Sequence, residues 1–137
     1  MQPDARPQYD RTCALVAKHG WAVIYVGDHE NELENFGYTV GLSAAGLPEL
    51  LFVVEESDVA TSMLNEIARL LVKRGTNVPD GFEPFPGQAL RLRNIYPKEF
   101  FRRCTIAGLW AIDHASIGGA TGMQVVIAED DGTFPPD

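Results

Sequence analysis

The sequence predicts an α+β domain, a mixed and largely antiparallel sheet flanked by helices, in the order α-β-β-β-α-β-α-β. Three observations predict it. Apolar runs of strand length, rich in β-branched and aromatic residues, recur between turn signals. Two of them, Trp21 to Val26 and Phe36 to Leu42, follow one another with only an acidic, turn-rich connection between them, as in a hairpin. From Ser57 to Arg74, by contrast, the apolar residues recur at helical spacing.

Taken in order, residues 1–8 read as a frayed start and Asp10 as the cap of a short helix. Its apolar face carries Cys13, Ala14, Val16 and Ala17, and Gly20 ends it. Trp21-Ala22-Val23-Ile24-Tyr25-Val26 is apolar at every position, the pattern of a strand covered on both faces, and is expected at the centre of the sheet. Asp28 to Glu34 is a solvated hairpin tip without the ligand order of a calcium loop. Phe36 to Leu42 resumes extended structure, Ser43 to Pro48 turns the chain, and Leu50 to Val54 is a third strand.

Ser57 and Asp58 open the most strongly patterned helix, with Val59, Ala60, Met63, Leu64, Ile67, Ala68 and Leu71 on one side and Gly75 at its end. The prolines and glycines of Val78 to Gly87 predict a loop bearing two phenylalanines. Gln88 to Ile95 alternates Leu90 and Leu92 against Arg91 and Arg93, a half-buried strand with a basic outer face. A helix with a break is expected from Pro97 to Ile117, and a last strand from Met123 to Ala128, followed by an acidic turn and an irregular tail.

Composition bounds the function. A chain of 137 residues, 45% hydrophobic and 22% charged, fits one domain over residues 1–137 that needs neither disulfide nor metal to hold it. The net charge of -8 repels phosphate backbones and anionic membranes, so nucleic acid and membrane are not expected partners. Cys13 and Cys104 lack CxxC spacing and no apolar leader precedes them, which points to reduced thiols in the cytoplasm. His19, His29 and His114 show none of the paired spacings that seat a metal, and no P-loop, GxGxxG or GxSxG element is present, so neither metal nor cofactor is expected.

The most specific run is Asn35-Phe36-Gly37-Tyr38-Thr39-Val40-Gly41-Leu42 with Pro48-Glu49-Leu50-Leu51 behind it, His19-Gly20-Trp21 before it, and Gln124, an acidic turn at Asp130 or Asp131, Gly132, Phe134 and Pro135 at the end. Together these motifs resemble the bacterial domain of unknown function 4262. The resemblance implies a fold and a candidate surface, with no established reaction. Gly37 stands where that family usually has Ala. Ala128-Glu129 and Pro136 depart from its closing pattern.

Alternation along Phe36 to Leu42 puts Phe36, Tyr38, Val40 and Leu42 on one face and Gly37, Thr39 and Gly41 on the other. That bare strip suits either a helix packed closely on the strand or a ligand floor with Thr39 as its hydroxyl. Tyr38 is either a core phenol or a general acid, and Glu49 either braces the preceding turn or serves as a functional carboxylate. Gln124, an amide within a strand, requires partners in the backbone or in a polar ligand. Arg91, Arg93, Arg102 and Arg103 gather the cations of an acidic chain; they form one anion site or pair singly with carboxylates. Cys104 beside Arg102 and Arg103 is either inert filling or a thiol poised for redox chemistry.

Two functions follow. One is a binding module for a small polar or anionic ligand or a partner, with Phe36, Tyr38, Thr39, Glu49, Arg91, Arg93, Gln124 and Asp130 around the pocket and homo-oligomers open to it. The other is a small hydrolase or group-transfer enzyme using Tyr38, Thr39, Glu49 and His114. Binding is favoured, because no nucleophile, base and orienting group stand in recognisable order.

Overall fold

A computed structural model describes residues 5–27, 35–75, 82–85, 88–114 and 121–128. The hairpin tip at 28–34, the acidic tail with Asp130 and the expected helix end at Ile117 lie outside the described residues.

Helix α1, Ala5–His19, leads into strands β1 (Ala22–Val26) and β2 (Phe36–Val40), a 3-10 turn at Leu42–Ala45, and β3 (Glu49–Val53). Helix α2, Ser57–Arg74, is followed by β4 (Phe82–Phe85) and β5 (Gln88–Ile95), then α3 (Pro97–Arg103), α4 (Thr105–Asp113) and β6 (Gly122–Ile127). The six strands form one sheet in the order β1-β2-β3-β6-β5-β4. Only the β3/β6 pair is parallel; the others are antiparallel, so the sheet is mixed and largely antiparallel as expected. The hairpin of β1 and β2 pairs Ala22 with Val40 and Val26 with Phe36.

Helix α2 covers one face of the sheet. Its Ala60, Met63, Leu64, Ile67, Ala68 and Leu71 pack with Leu50, Phe52, Leu90, Leu92, Met123 and Val125. Helices α1, α3 and α4 cover the other, where Phe100, Cys104, Ile106, Ala107 and Trp110 meet Ile24, Phe36, Tyr38, Val40 and Leu51. Gly75 closes α2 with its amide on the Leu71 carbonyl at 2.8 Å, as the sequence predicts. The predicted break in the last helical segment lies at Cys104, whose backbone (φ -101, ψ 72) separates α3 from α4.

Several expectations are corrected. α1 begins at Ala5, so residues 5–8 are helical and Asp10 lies inside the helix instead of capping it. Its inward side carries Tyr9, Thr12, Cys13 and Val16, while Ala14 and Ala17 are exposed. On α2, Val59 is also exposed. β1 is an edge strand, although both of its faces are covered: Ile24 lies under α1 and α4, Val23 and Tyr25 beside α2.

Phe82–Phe85, expected as loop, pairs with β5 through Phe82↔Leu90 and Phe85↔Gln88 with an irregularity between them. Pro84 is compatible with this because an edge strand leaves one side of its backbone without a ladder partner. β2 ends at Val40; Gly41 turns away with φ 114, a left-handed conformation that strains any other residue. Leu42 therefore belongs to the 3-10 turn and packs on the α2 side.

Candidate functional site

The motif Phe36 to Leu42 is held from within. Gly37 lies under α2, where a Cβ would sit 3.0 Å from Ala60 Cβ and 3.0 Å from Leu64 Cδ1, so the bare strip is a helix contact at this position. Gly41 does not share that strip; a Cβ there would come within 2.8 Å of Val16 Cγ1 on α1.

Thr39 and Glu49, respectively 0% and 1% exposed, form a buried network. Glu49 Oε1 accepts from the Thr39 hydroxyl at 2.8 Å and the Leu42 amide at 3.2 Å. Its Oε2 accepts from the amides of Gly41 (2.9 Å) and Ser43 (3.1 Å) and from the Ser43 hydroxyl at 3.0 Å. Three consecutive amides thus face one carboxylate, a nest closed by a side chain of the protein itself. Burial pushes the Glu49 carboxyl up, opposed by the hydrogen bonds from Ser43, Thr39 and Gly41. Glu49 braces the turn, one of its two expected roles.

Tyr38, 2% exposed, packs with the residues of α3 and α4, where its hydroxyl accepts a long 3.4 Å bond from the Ile106 amide in the first turn of α4. Burial pushes this phenol far above its ordinary range, with a smaller contribution from Cys104. Cys104 is itself buried, and burial raises its thiol despite the lowering influence of Arg103. That suits inert filling better than redox chemistry. His114 follows α4 on the surface, stacked on Trp110 at 4.2 Å between ring centroids with Nδ1 donating to the Trp110 carbonyl.

Strand register sets two of the arginines on one face. Ile24, Tyr38, Leu51, Gln124 and Arg93 are successive cross-strand partners from β1 to β5 and therefore project from one face. The row begins apolar beneath the helices and ends in a polar pair, Arg93 Nη2 donating to Gln124 Oε1 at 2.5 Å. One row further along the strands, Phe36 pairs with Val53 and Arg91 with Val126. Above Phe36 stands Arg103 of α3, its guanidinium 5.0 Å from the ring centroid. Val53 is 37% exposed, and Arg91, Arg93, Gln124 and Val126 are half-buried.

Arg91, Arg93 and Arg103 accordingly border a shelf on one face of the sheet, Arg103 over β2 and the other two on β5, with Val53 and Val126 on the strands between. Arg102 turns away to Glu99, 2.5 Å from its carboxylate at the surface. Sequence alternation indicates that Arg91 and Arg93 share a face, but the contribution of Arg103 depends on where α3 docks, which is set by Phe100 packed against Gly122.

The sequence reading does not anticipate a second concavity. About 460 Å³ lies between Leu15 and His19 of α1, Trp21 to Val23, and Thr61, Asn65 and Arg69 of α2. Trp21 Nε1 donates to Asn65 Oδ1 at 2.9 Å on its wall. The available signal was Asn65 at a half-buried position of an otherwise apolar-faced helix, four residues from Thr61 and from Arg69. Among the described residues no group of three or more His, Cys, Asp or Glu side chains is placed to hold a metal.

No curated protein and no solved structure matches the chain. A family model does match, over residues 15–137, and it spans the hairpin, the buried Thr39/Glu49 brace and the arginine shelf alike. The chain belongs to the family described as Domain of unknown function (DUF4262).

Proposed function

We propose that this protein is a non-catalytic binding module of the bacterial cytoplasm that takes a small anionic or polar ligand on the shelf of Arg91, Arg93, Arg103 and Gln124. The observation that carries the reading is that Arg91 and Arg93 share one sheet face in a chain whose net charge is -8, with Arg103 over Phe36 on that same face. In such a field a local cluster of cations concentrates anions that the rest of the surface repels. Guanidinium forks also match carboxylate and phosphate oxygens in pairs. The apolar floor of exposed Val53 and half-buried Val126 would seat the uncharged part of the ligand.

Binding is preferred to catalysis because Tyr38, Thr39 and Glu49 are buried and committed to internal partners. A general acid or base must reach the proton it transfers. The free thiols of Cys13 and Cys104 accord with a reducing compartment, and among the described residues no helix is long and apolar enough to cross a membrane.

Calorimetric titration of the intact protein with inorganic phosphate, sulfate and short dicarboxylates tests the proposal. Binding by the parent protein that is lost in Arg91→Ala and Arg93→Ala supports it. Equal binding by all three proteins, or by none, removes the shelf from consideration.

A further inference from the structure

Among the described residues, the outer edge of β1 lacks the protection that the opposite edge has. β4 carries Glu83 and Pro84, a charge and a missing amide donor, both of which discourage further strand pairing. β1 reads Ala-Val-Ile-Tyr-Val, with no charge and no proline. Its composition is that of a central strand, and both faces are covered as in one. Among the described residues only β2 pairs with it. The 460 Å³ groove runs beside this edge, and Leu15 on its α1 side is 45% exposed.

Charge is distributed along that edge in a directed way. Trp21, just ahead of β1, bonds Asn65 midway along α2, with Arg69 one turn beyond. Tyr25, near the end of β1, shares its hydroxyl between the carbonyls of Val54 (2.8 Å) and Glu55 (2.5 Å), just ahead of α2. α2 therefore runs opposite to β1. The start of the edge carries Lys18 and Arg69, with Glu66 paired to Arg69 on the same helix, and is weakly basic; its end carries Glu55, Glu56 and Asp58 and is acidic.

We propose that the edge of β1 pairs with β1 of a second copy, antiparallel about a two-fold axis beside Val23, joining two six-stranded sheets into one. An antiparallel two-fold pairing sets the acidic end of each copy against the basic end of the other, twice over. A parallel pairing would set like charges together. The same operation gives each unpaired β1 backbone a complete ladder and covers Leu15 with the partner's groove wall. Arg91 and Arg93 lie on β5, with three strands between them and this edge, so the pairing neither uses nor blocks them.

Size-exclusion chromatography with light scattering on the full chain, at physiological ionic strength and over a wide concentration range, tests this. A dimer is expected, with amides of Ala22 to Val26 protected from hydrogen exchange only at concentrations where it forms. Leu15→Asp and Thr61→Lys alter exposed groove positions and should each give a folded monomer, verified by circular dichroism. Arg69→Glu should weaken dimerisation by about tenfold or more, because it faces like charges, and the double variant Glu56→Arg/Arg69→Glu should recover it. A monomer at every concentration overturns the proposal, as does a dimer indifferent to all of these changes. Protection of the β1 amides in a monomer also overturns it, since another segment of the chain would then occupy the edge.

Discussion

The Thr39 hydroxyl donates to Glu49 Oε1 at 2.8 Å and accepts the Leu50 amide at the same distance, tying the middle of β2 to the start of β3. Glu49 then collects the amides of Gly41, Leu42 and Ser43, so the sharp exit from β2 is held by one carboxylate. Glu49→Gln replaces one acceptor oxygen with an NH2 group that faces donors. It should destabilise the fold by about 2–4 kcal/mol, the range for leaving buried donors unsatisfied. Thr39→Val removes one hydroxyl and should cost less. Urea melts of both variants check the order; a Glu49→Gln midpoint equal to the parent's would show that the network is not a brace.

The same carboxyl makes a pH prediction. Its folded pKa is raised above 4.5 by burial, so the folded state binds its proton more readily than the unfolded chain does. By linkage, the stability that this contributes is fully present below pH 4.5 and is lost as the pH rises through the folded value. The stability difference between the parent and Glu49→Gln should therefore widen as pH falls toward 4.5, since the other carboxylates cancel in the comparison. A constant difference across that window would mean that Glu49 titrates alike in both states.

Gly37 offers a cleaner packing test than Gly41, because its backbone is ordinary strand and only the approach of α2 is at stake. Gly37→Val puts a branched side chain against Ala60 and Leu64 and should cost about 1–3 kcal/mol. Thermal melts decide it. An unchanged midpoint would mean that α2 does not rest on the strand.

How much of this was legible in the sequence depended on whether the signal was local. The hairpin, α2 with its Gly75 end, the Arg91/Arg93 alternation and the break near Cys104 arise from periodicity and breakers within one segment. Strand order does not. Trp21 to Val26 has the composition of a central strand, and nothing in its own residues says which neighbours it acquires. Phe82 to Phe85 was hidden by Pro84, which forbids an interior strand but not an edge. Gly41 fitted the alternation of β2, yet its positive φ and the pull of Glu49 turn it out, a tertiary effect that side-chain parity along one strand cannot carry. Glu49 was legible as a brace or an acid; only the five donors around it separate the two.

Neither disulfide nor metal is expected to support the fold. Cys13 and Cys104 are free, the latter enclosed between β2 and α4, and the core is built from apolar packing on both faces of the sheet. Reductant and chelator should leave the melting temperature unchanged. A marked drop with chelator, or stoichiometric zinc by elemental analysis, would reveal ligands drawn together from outside the described residues.

The last prediction concerns how Gln124 and Arg93 divide the work on the shelf. Gln124 Oε1 holds one arm of the Arg93 guanidinium at 2.5 Å. Arg93→Ala should weaken phosphate binding by about tenfold or more, the loss of a charge-assisted pair of bonds. Arg93→Lys keeps the charge but not the fork and should recover only part of the loss. Gln124→Met leaves Arg93 charged but removes this one hydrogen bond, so affinity should fall less than in Arg93→Ala, and the salt dependence of binding should stay that of the parent. Calorimetry at two ionic strengths separates these cases. If Arg93→Lys binds as tightly as the parent, the shelf attracts anions only as a diffuse cationic patch and the fork geometry at Gln124 has no part in recognition.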